Sequence, residues 1–308
     1  MSDYTMILDR LHKQGVITPP KWLPSNTQYL TIMGSDAYGV SGGSSDIDIY
    51  GFTIPSKHML FPHLAGEISG FGEQIKRFEV WQEHHVKTDN KEYDFCVYSI
   101  VKFFQLLMQN NPNMIDSLFV PRRCIIHTTA LGEHVRDHRK IFLHKGAWHK
   151  FKGYAYAQMN KIEHKVNASN EKRAESIKEF GYDTKFSYHV VRLLNEIEQI
   201  LVEGDLDLER NREQLKSIRR GEWTLEQLKT YFHDKEKSLE ETYANSALPH
   251  GPNEEAIKQL LIDVLEMHYG NLSDAIAKNP SMDKLLEDLR NIVDRYATNI
   301  PVDTSENP

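Results

Sequence analysis

Between residues 34 and 52 the chain reads "GSDAYGVSGGSSDIDIYGF". The apolar run "QYLTIM" (28–33) leads into Gly34 and Ser35, and after ten further residues Asp46-Ile47-Asp48 opens a second apolar run. Period-two alternation sets Asp46, Asp48 and Tyr50 on one face and Ile47 and Ile49 on the other, the signature of a half-buried strand that presents two carboxylates together. Glycine at the end of the preceding strand permits close backbone approach. Ser35, with the amides of a turn into a helix, can cradle phosphate, and Ser45, just before the first aspartate, is a further candidate nucleotide contact. Two such carboxylates can hold a divalent cation that bridges phosphate oxygens during an in-line displacement. A turn rich in Gly, Ser and Asp also serves as a plain connector, but the strand before it and the acids alternating with isoleucines after it point to phosphoryl or nucleotidyl transfer.

Working outward, a short helix from Tyr4 to Gly15 precedes the breaker "TPPKWLPSN", and residues 67–90 are polar and mixed, a hairpin or an exposed insertion. "EYDFCVYSI" (92–100) alternates again and gives a third strand with Glu92, Asp94 and Cys96 on one face. Two-metal chemistry wants a third carboxylate facing the first pair. Asp94 is the first candidate and Glu92 the alternative. From Ser99 the pattern turns helical, breaks at Asn110–Pro112 and resumes at Asn113. Beyond residue 128 helices are expected near 129–142, 147–179, 183–203, 224–243 and 253–297. The expected fold is α+β, a mixed sheet with flanking helices over residues 1–125, followed by an all-helical domain over 126–298 and a disordered tail at 299–308.

The net charge of −7 over 308 residues argues at first against a polyanionic partner. Its distribution changes that reading, because residues 121–192 carry 15 Lys and Arg against 7 Asp and Glu, whereas residues 193–308 carry 13 against 24. A basic middle between acidic flanks suits a triphosphate or an RNA backbone. If Asp183 or Thr184 caps a helix in "GYDTKFSYHVVRLLNE", then Lys185, His189 and Arg192 form one basic stripe, with Val190, Leu193 and Leu194 facing the core. These three are candidate phosphate contacts. Tyr154 and Tyr156 in "KGYAYAQMNK" can stack on a base or pack in the core. The two cysteines, Cys96 and Cys124, sit in apolar, strand-like stretches and read as reduced, buried thiols, consistent with a cytoplasmic setting. No apolar run approaches the length of a membrane span, and no secretory leader is visible at the N-terminus.

The pattern resembles the DNA-polymerase-β-like nucleotidyltransferase superfamily, whose hallmark is Gly-Ser, a spacer and Asp-x-Asp. Within it, "GSDAYGVSGGSSDIDIYGFTIP", "KFFQLLMQNNPNMIDSLFVP", "GYDTKFSYHVVRLLNE" and "SALPHGPN" are similar to the RNA-repair group associated with RNA ligases in bacteria and phages. The resemblance implies Mg²⁺- or Mn²⁺-dependent transfer of a nucleoside monophosphate from a nucleoside triphosphate such as ATP, with pyrophosphate leaving. It implies that Gly34 and Ser35 hold the triphosphate and that Asp46, Asp48 and Asp94 bind metal. An RNA 3′ end, tRNA included, is then the expected acceptor, and a functional link to an RNA ligase and a cytoplasmic location in a bacterial or phage-infected cell follow from the same resemblance. The same core can also label a protein or build a signalling nucleotide, because the carboxylates do not choose the acceptor. A catalytically idle nucleotide- or RNA-binding module is the reading from outside enzymology, and retention of all the acids argues against it.

Overall fold

The computed structural model describes residues 7–42, 46–64, 68–70, 76–163, 171–270 and 289. Five strands form one mixed sheet: β1 (Thr27–Ile32), β2 (Ile47–Thr53), β3 (Val80–Thr88), β4 (Lys91–Ser99) and β5 (Ile125–Thr128), in the order β3-β4-β2-β1-β5. Only β2 and β4 run parallel; the remaining pairs are antiparallel. β3 and β4 are a hairpin whose Asp89 and Asn90 both take positive φ, 52° and 59°, the twist that suits a two-residue turn between right-handed strands. The polar stretch before residue 90 therefore resolves, from residue 80 on, as the outer arm of that hairpin.

The described helices are α1 (Ile7–Lys13), α2 (Leu23–Asn26), α3 (Lys57–Leu60), α4 (Ile100–Met108), α5 (Pro112–Phe119), α6 (Ala130–Asp137), α7 (Ala147–Glu163), α8 (Glu171–Phe180), α9 (Thr184–Glu203), α10 (Arg212–Arg219), α11 (Leu225–Asn245) and α12 (Glu254–Tyr269). Local chemistry explains where several begin. Ser99 ends β4 and caps α4, its hydroxyl accepting from the Lys102 amide at 3.2 Å. Asn111 caps α5, with Pro112 at the first helical position, where its missing N–H costs nothing. Asp183 accepts from the Lys185 and Phe186 amides at 2.8 and 3.0 Å, which fixes the start of α9 at Thr184.

The molecule is α+β, as the alternation of patterns indicates. β5, only four residues long, falls in the apolar, strand-like stretch around Cys124, whereas α10, "REQLKSIR", buries just Leu215 and Ile218 among charged neighbours and carries too little pattern to be expected. The helical stretch expected over 147–179 is described as α7 and α8, and that over 253–297 as α12 to Tyr269; residues 164–170, most of 271–297 and the 299–308 tail lie outside the described residues.

One compact unit takes residues 1–54 and 79–268 and holds the whole sheet together with α4–α11; a second takes 55–78 and 269–308. In the first, Phe52 of β2 packs on Tyr29 of β1 and Phe103 of α4, with ring centroids 6.0 and 5.0 Å apart. α9 is buried along most of its length, packed on α7, α10 and α11 through residues such as Val190, Leu193, Leu194 and Ile197. Each such side chain contributes about 1.5–3 kcal/mol of burial. In the second unit, the Tyr269 hydroxyl donates to the Pro55 carbonyl and its ring meets Phe61 edge-on.

Candidate active site

β2 and β4 lie side by side in register, with Asp48 the direct partner of Asp94 and Tyr50 that of Cys96. In a parallel pair, partners face the same side about 4.8 Å apart, so Asp48 and Asp94 are adjacent rungs of one carboxylate ladder. Asp46 immediately precedes β2 and is exposed. The consequence registers on Asp48. Burial first, and then the charges of Asp94 and Asp46, push its carboxyl up to about 6, while Lys185 and His84 pull it down without prevailing.

Asp94 is also held from the other side. β3 bulges between Glu83 and Val86, and His85 takes φ 57° there; a bulge of this kind re-aims the groups next to it. The His85 amide donates to Asp94 Oδ1 at 2.8 Å, and His84 Nδ1 stands 3.5 Å from the same oxygen. Glu92 turns instead to His85, 2.6 Å from its Nδ1, and lies 3.9 Å from Lys87. Of the two candidates for a third carboxylate, the structure sets Asp94 beside Asp48 and engages Glu92 elsewhere. Nothing in the local sequence pattern points to His84 and His85, since a bulge depends on pairing between strands.

Gly34 closes the site from the β1 side. Its φ is +67°, and a Cβ there would stand 2.4 Å from Asp48 Oδ2, so the carboxylate lies directly against the glycine backbone. The Met33 amide donates to the Asp48 carbonyl at 2.7 Å, continuing the strand pairing to the edge of the turn. Residues 34–39 form consecutive turns and not the start of a helix: Tyr38 N–H donates to the Gly34 carbonyl at 3.3 Å and Val40 N–H to the Ser35 carbonyl at 2.9 Å. Gly39 at φ +66° turns the chain away before a helix can form. Ser35 stays within this loop beside Gly34, whereas Ser45 lies outside the described residues.

Three arginines from distant parts of the chain hold that loop. Arg123 Nη2 donates to the Asp36 carbonyl at 3.1 Å and to Glu209 Oε1 at 2.7 Å. Arg219 Nη1 donates to the Val40 carbonyl at 2.8 Å. Arg192 lies over the Tyr38 ring, 4.3 Å from its centroid, and Tyr38 donates its hydroxyl to Asp116 Oδ2 at 2.8 Å.

Arg192 corrects the expected stripe. Its side chain is 6% exposed and donates to Asp116 Oδ2 at 2.5 Å and to Glu196 Oε2 at 2.9 Å. A guanidinium so enclosed is a structural cation; Lys185 at the exposed start of α9 and half-buried His189 remain on the accessible face. Burial pushes the Asp116 and Glu196 carboxyls up against the pull of Arg192. Lys185 is near enough to act on Asp48. His189 stacks on Tyr188, centroids 4.2 Å apart.

Among the described residues, no group of three or more His, Cys, Asp or Glu side chains converges as a self-sufficient metal site. The donor set nonetheless fits a hard divalent cation of the magnesium type, which binds through one or two carboxylates and completes its shell with water and substrate phosphate. The repulsion of Asp48 by Asp94 and Asp46, only partly offset by Lys185 and His84, is what such a cation would remove.

The chain belongs to the RNA repair pathway DNA polymerase beta family, whose model matches residues 5–263. No curated protein matches. Among solved structures, the crystal structure of a nucleotidyltransferase-like protein from Exiguobacterium sibiricum 255-15 is similar over 94% of this chain and 90% of that one, at 10% identity and a TM-score of 0.28. A superposition that loose carries no argument about function. Among the described residues no helix is long and apolar enough to cross a membrane.

Proposed function

We propose that this protein is a metal-dependent nucleotidyltransferase that moves a nucleoside monophosphate from a nucleoside triphosphate to an acceptor hydroxyl, the acceptor being an RNA 3′ end. The observation that carries the reading is the Asp48–Asp94 ladder set against the Gly34 backbone, with its negative charge only partly offset. Family membership supports the polymerase-β type of chemistry and the RNA-repair setting. The basic segment over residues 121–192 supports a polyanionic acceptor, RNA such as tRNA, and a working link to an RNA ligase fits the same setting.

On this reading Asp46, Asp48 and Asp94 hold Mg²⁺ or Mn²⁺, which supplies neutralisation of phosphate oxygens when bound. Gly34 and Ser35 offer backbone and hydroxyl groups to the triphosphate, and Lys185 offers a cation to its outer oxygens. The acceptor hydroxyl oxygen attacks the α-phosphorus, its proton passing to the Asp94 carboxylate. The bond from the α-phosphorus to the bridging oxygen breaks, and pyrophosphate departs with the electron pair. The His85 amide on Asp94 Oδ1 keeps that carboxylate turned to the site.

Incubation with each α-labelled nucleoside triphosphate and Mg²⁺, with RNA, protein or no acceptor, tests the proposal. Label in RNA that disappears with Asp46→Ala supports it. Label in protein or in a small nucleotide product moves the acceptor assignment, and binding of triphosphate without any transfer overturns the enzymatic reading.

A further inference from the structure

The face that carries Asp48 and Asp94 continues along both strands into tyrosines. Two residues beyond Asp48 stands Tyr50, about 6.6 Å along the strand, and four beyond Asp94 stands Tyr98; both are half-buried and their rings meet edge-on with centroids 6.4 Å apart. Tyr154, on α7, is 39% exposed, a large exposure for an aromatic ring in the middle of a packed helix. Its hydroxyl accepts from Asn111 Nδ2 at 3.1 Å, which ties the ring to the start of α5.

The three rings belong to one neighbourhood. Tyr50 and Tyr98 share the ring contact given above, and Tyr154 stands near enough for its hydroxyl to act on both of theirs. Tyr156, two residues further along α7, is different: its hydroxyl donates to Glu236 at 2.6 Å and its ring packs on Phe232. Tyr156 is equally exposed, at 38%, yet its hydroxyl and ring are both committed to α11, so it serves as scaffold.

From this juxtaposition we infer that Tyr50, Tyr98 and Tyr154 form the nucleoside end of the site, an aromatic platform on which the base of the incoming triphosphate stacks. The inference rests on the nucleotidyltransferase reading and deepens it by giving the triphosphate a direction. With the phosphates held over Gly34, Ser35 and Asp48 on that reading, the nucleoside belongs on the next rung of the same face, which is Tyr50. Stacking suits any base, because each has a π-face. Asn111 would not choose among bases, since its Oδ1 caps α5 and its Nδ2 holds Tyr154.

Equilibrium binding of a non-hydrolysable nucleoside triphosphate with Mg²⁺, set beside binding of inorganic tripolyphosphate with Mg²⁺, tests this without requiring turnover. Tyr154→Ala should weaken the nucleotide roughly tenfold or more while leaving tripolyphosphate within twofold, and Tyr154→Trp should retain the nucleotide. Tyr98→Phe, which keeps the ring, should behave as wild type and Tyr98→Ala should not. Equal loss of both ligands in Tyr154→Ala, or no loss of nucleotide in either alanine variant, overturns the platform. A rise in KM for RNA acceptor with unchanged nucleotide binding overturns it too, assigning the rings to the acceptor. Wild-type protein that binds neither ligand brings down the nucleotidyltransferase reading itself, and the platform with it. Wild-type binding and transfer with indifferent tyrosine variants defeats the platform alone.

Discussion

Two clusters of acids in this molecule are treated in opposite ways. Asp116 and Glu196 are buried, yet Arg192 bonds to both and Tyr38 donates to the first. Asp48 and Asp94 are half-buried on one sheet face and repel each other across neighbouring strands; beyond the His85 amide on Asp94, Lys185 and His84 relieve them only in part. The first cluster uses charge to lock α5, α9 and the loop at residues 34–40 together. The second leaves its charge only partly offset within the chain. Within one fold, compensation separates scaffold from site.

The contrast breaks most severely at the site. Asp94→Asn should reduce nucleotidyl transfer roughly a thousandfold, about 4 kcal/mol of barrier, with little change in melting temperature. A rate within tenfold of wild type would remove Asp94 from the reaction. At the scaffold cluster the effects should reverse, falling on stability first. Arg192→Met leaves two buried carboxylates without their cation and should cost about 3–5 kcal/mol in chemical denaturation, much of it recovered when Asp116→Asn and Glu196→Gln are added. Failure of the triple variant to recover would mean that packing around Arg192, and not its charge, holds the loop.

Gly34→Ala tests the seam between the two regions. The left-handed backbone should cost about 1–2 kcal/mol, and the added Cβ would displace the Asp48 carboxylate, so transfer should fall about a hundredfold. Unchanged activity would show that the close approach of the Asp48 carboxylate to the Gly34 backbone is not needed by the reaction. Lys185→Ala should be the mildest change, raising the triphosphate KM about tenfold with stability within ~0.5 kcal/mol. An effect on kcat alone would argue that Lys185 acts on the transition state and not on ground-state binding.

How much of the molecule is legible in the sequence depends on how local each signal is. Asp46 and Asp48 can be read because alternation with isoleucine is a property of neighbouring residues. Asp94 can be proposed, but preferring it to Glu92 needs the β2–β4 register and the bulge at His85, both products of pairing between distant segments. Arg192 shows the limit most clearly. Helical spacing places it on a stripe with Lys185, yet its partner Asp116 lies 76 residues away, and no periodicity within α9 reveals an acid arriving from α5. The helix capped by Asp183 and the Asn111 turn are legible because caps are short-range chemistry, whereas the charged α10 carries too little pattern of its own.

Whether the site's carboxylates are held unpaired in order to receive a cation and a triphosphate can be tested by thermal unfolding of wild type and Asp48→Asn across pH, with and without Mg²⁺ and a non-hydrolysable triphosphate. A carboxyl raised to about 6 from 3.8 binds its proton more tightly when folded, so ionisation costs stability as pH rises between those values. Without ligand, Asp48→Asn should therefore match wild type near pH 4 and exceed it by about 1–3 kcal/mol at pH 8. With ligand at pH 8, wild type should gain stability and Asp48→Asn should gain little. A variant that is less stable than wild type at pH 8 without ligand, or that is stabilised by ligand as fully as wild type, would contradict the account.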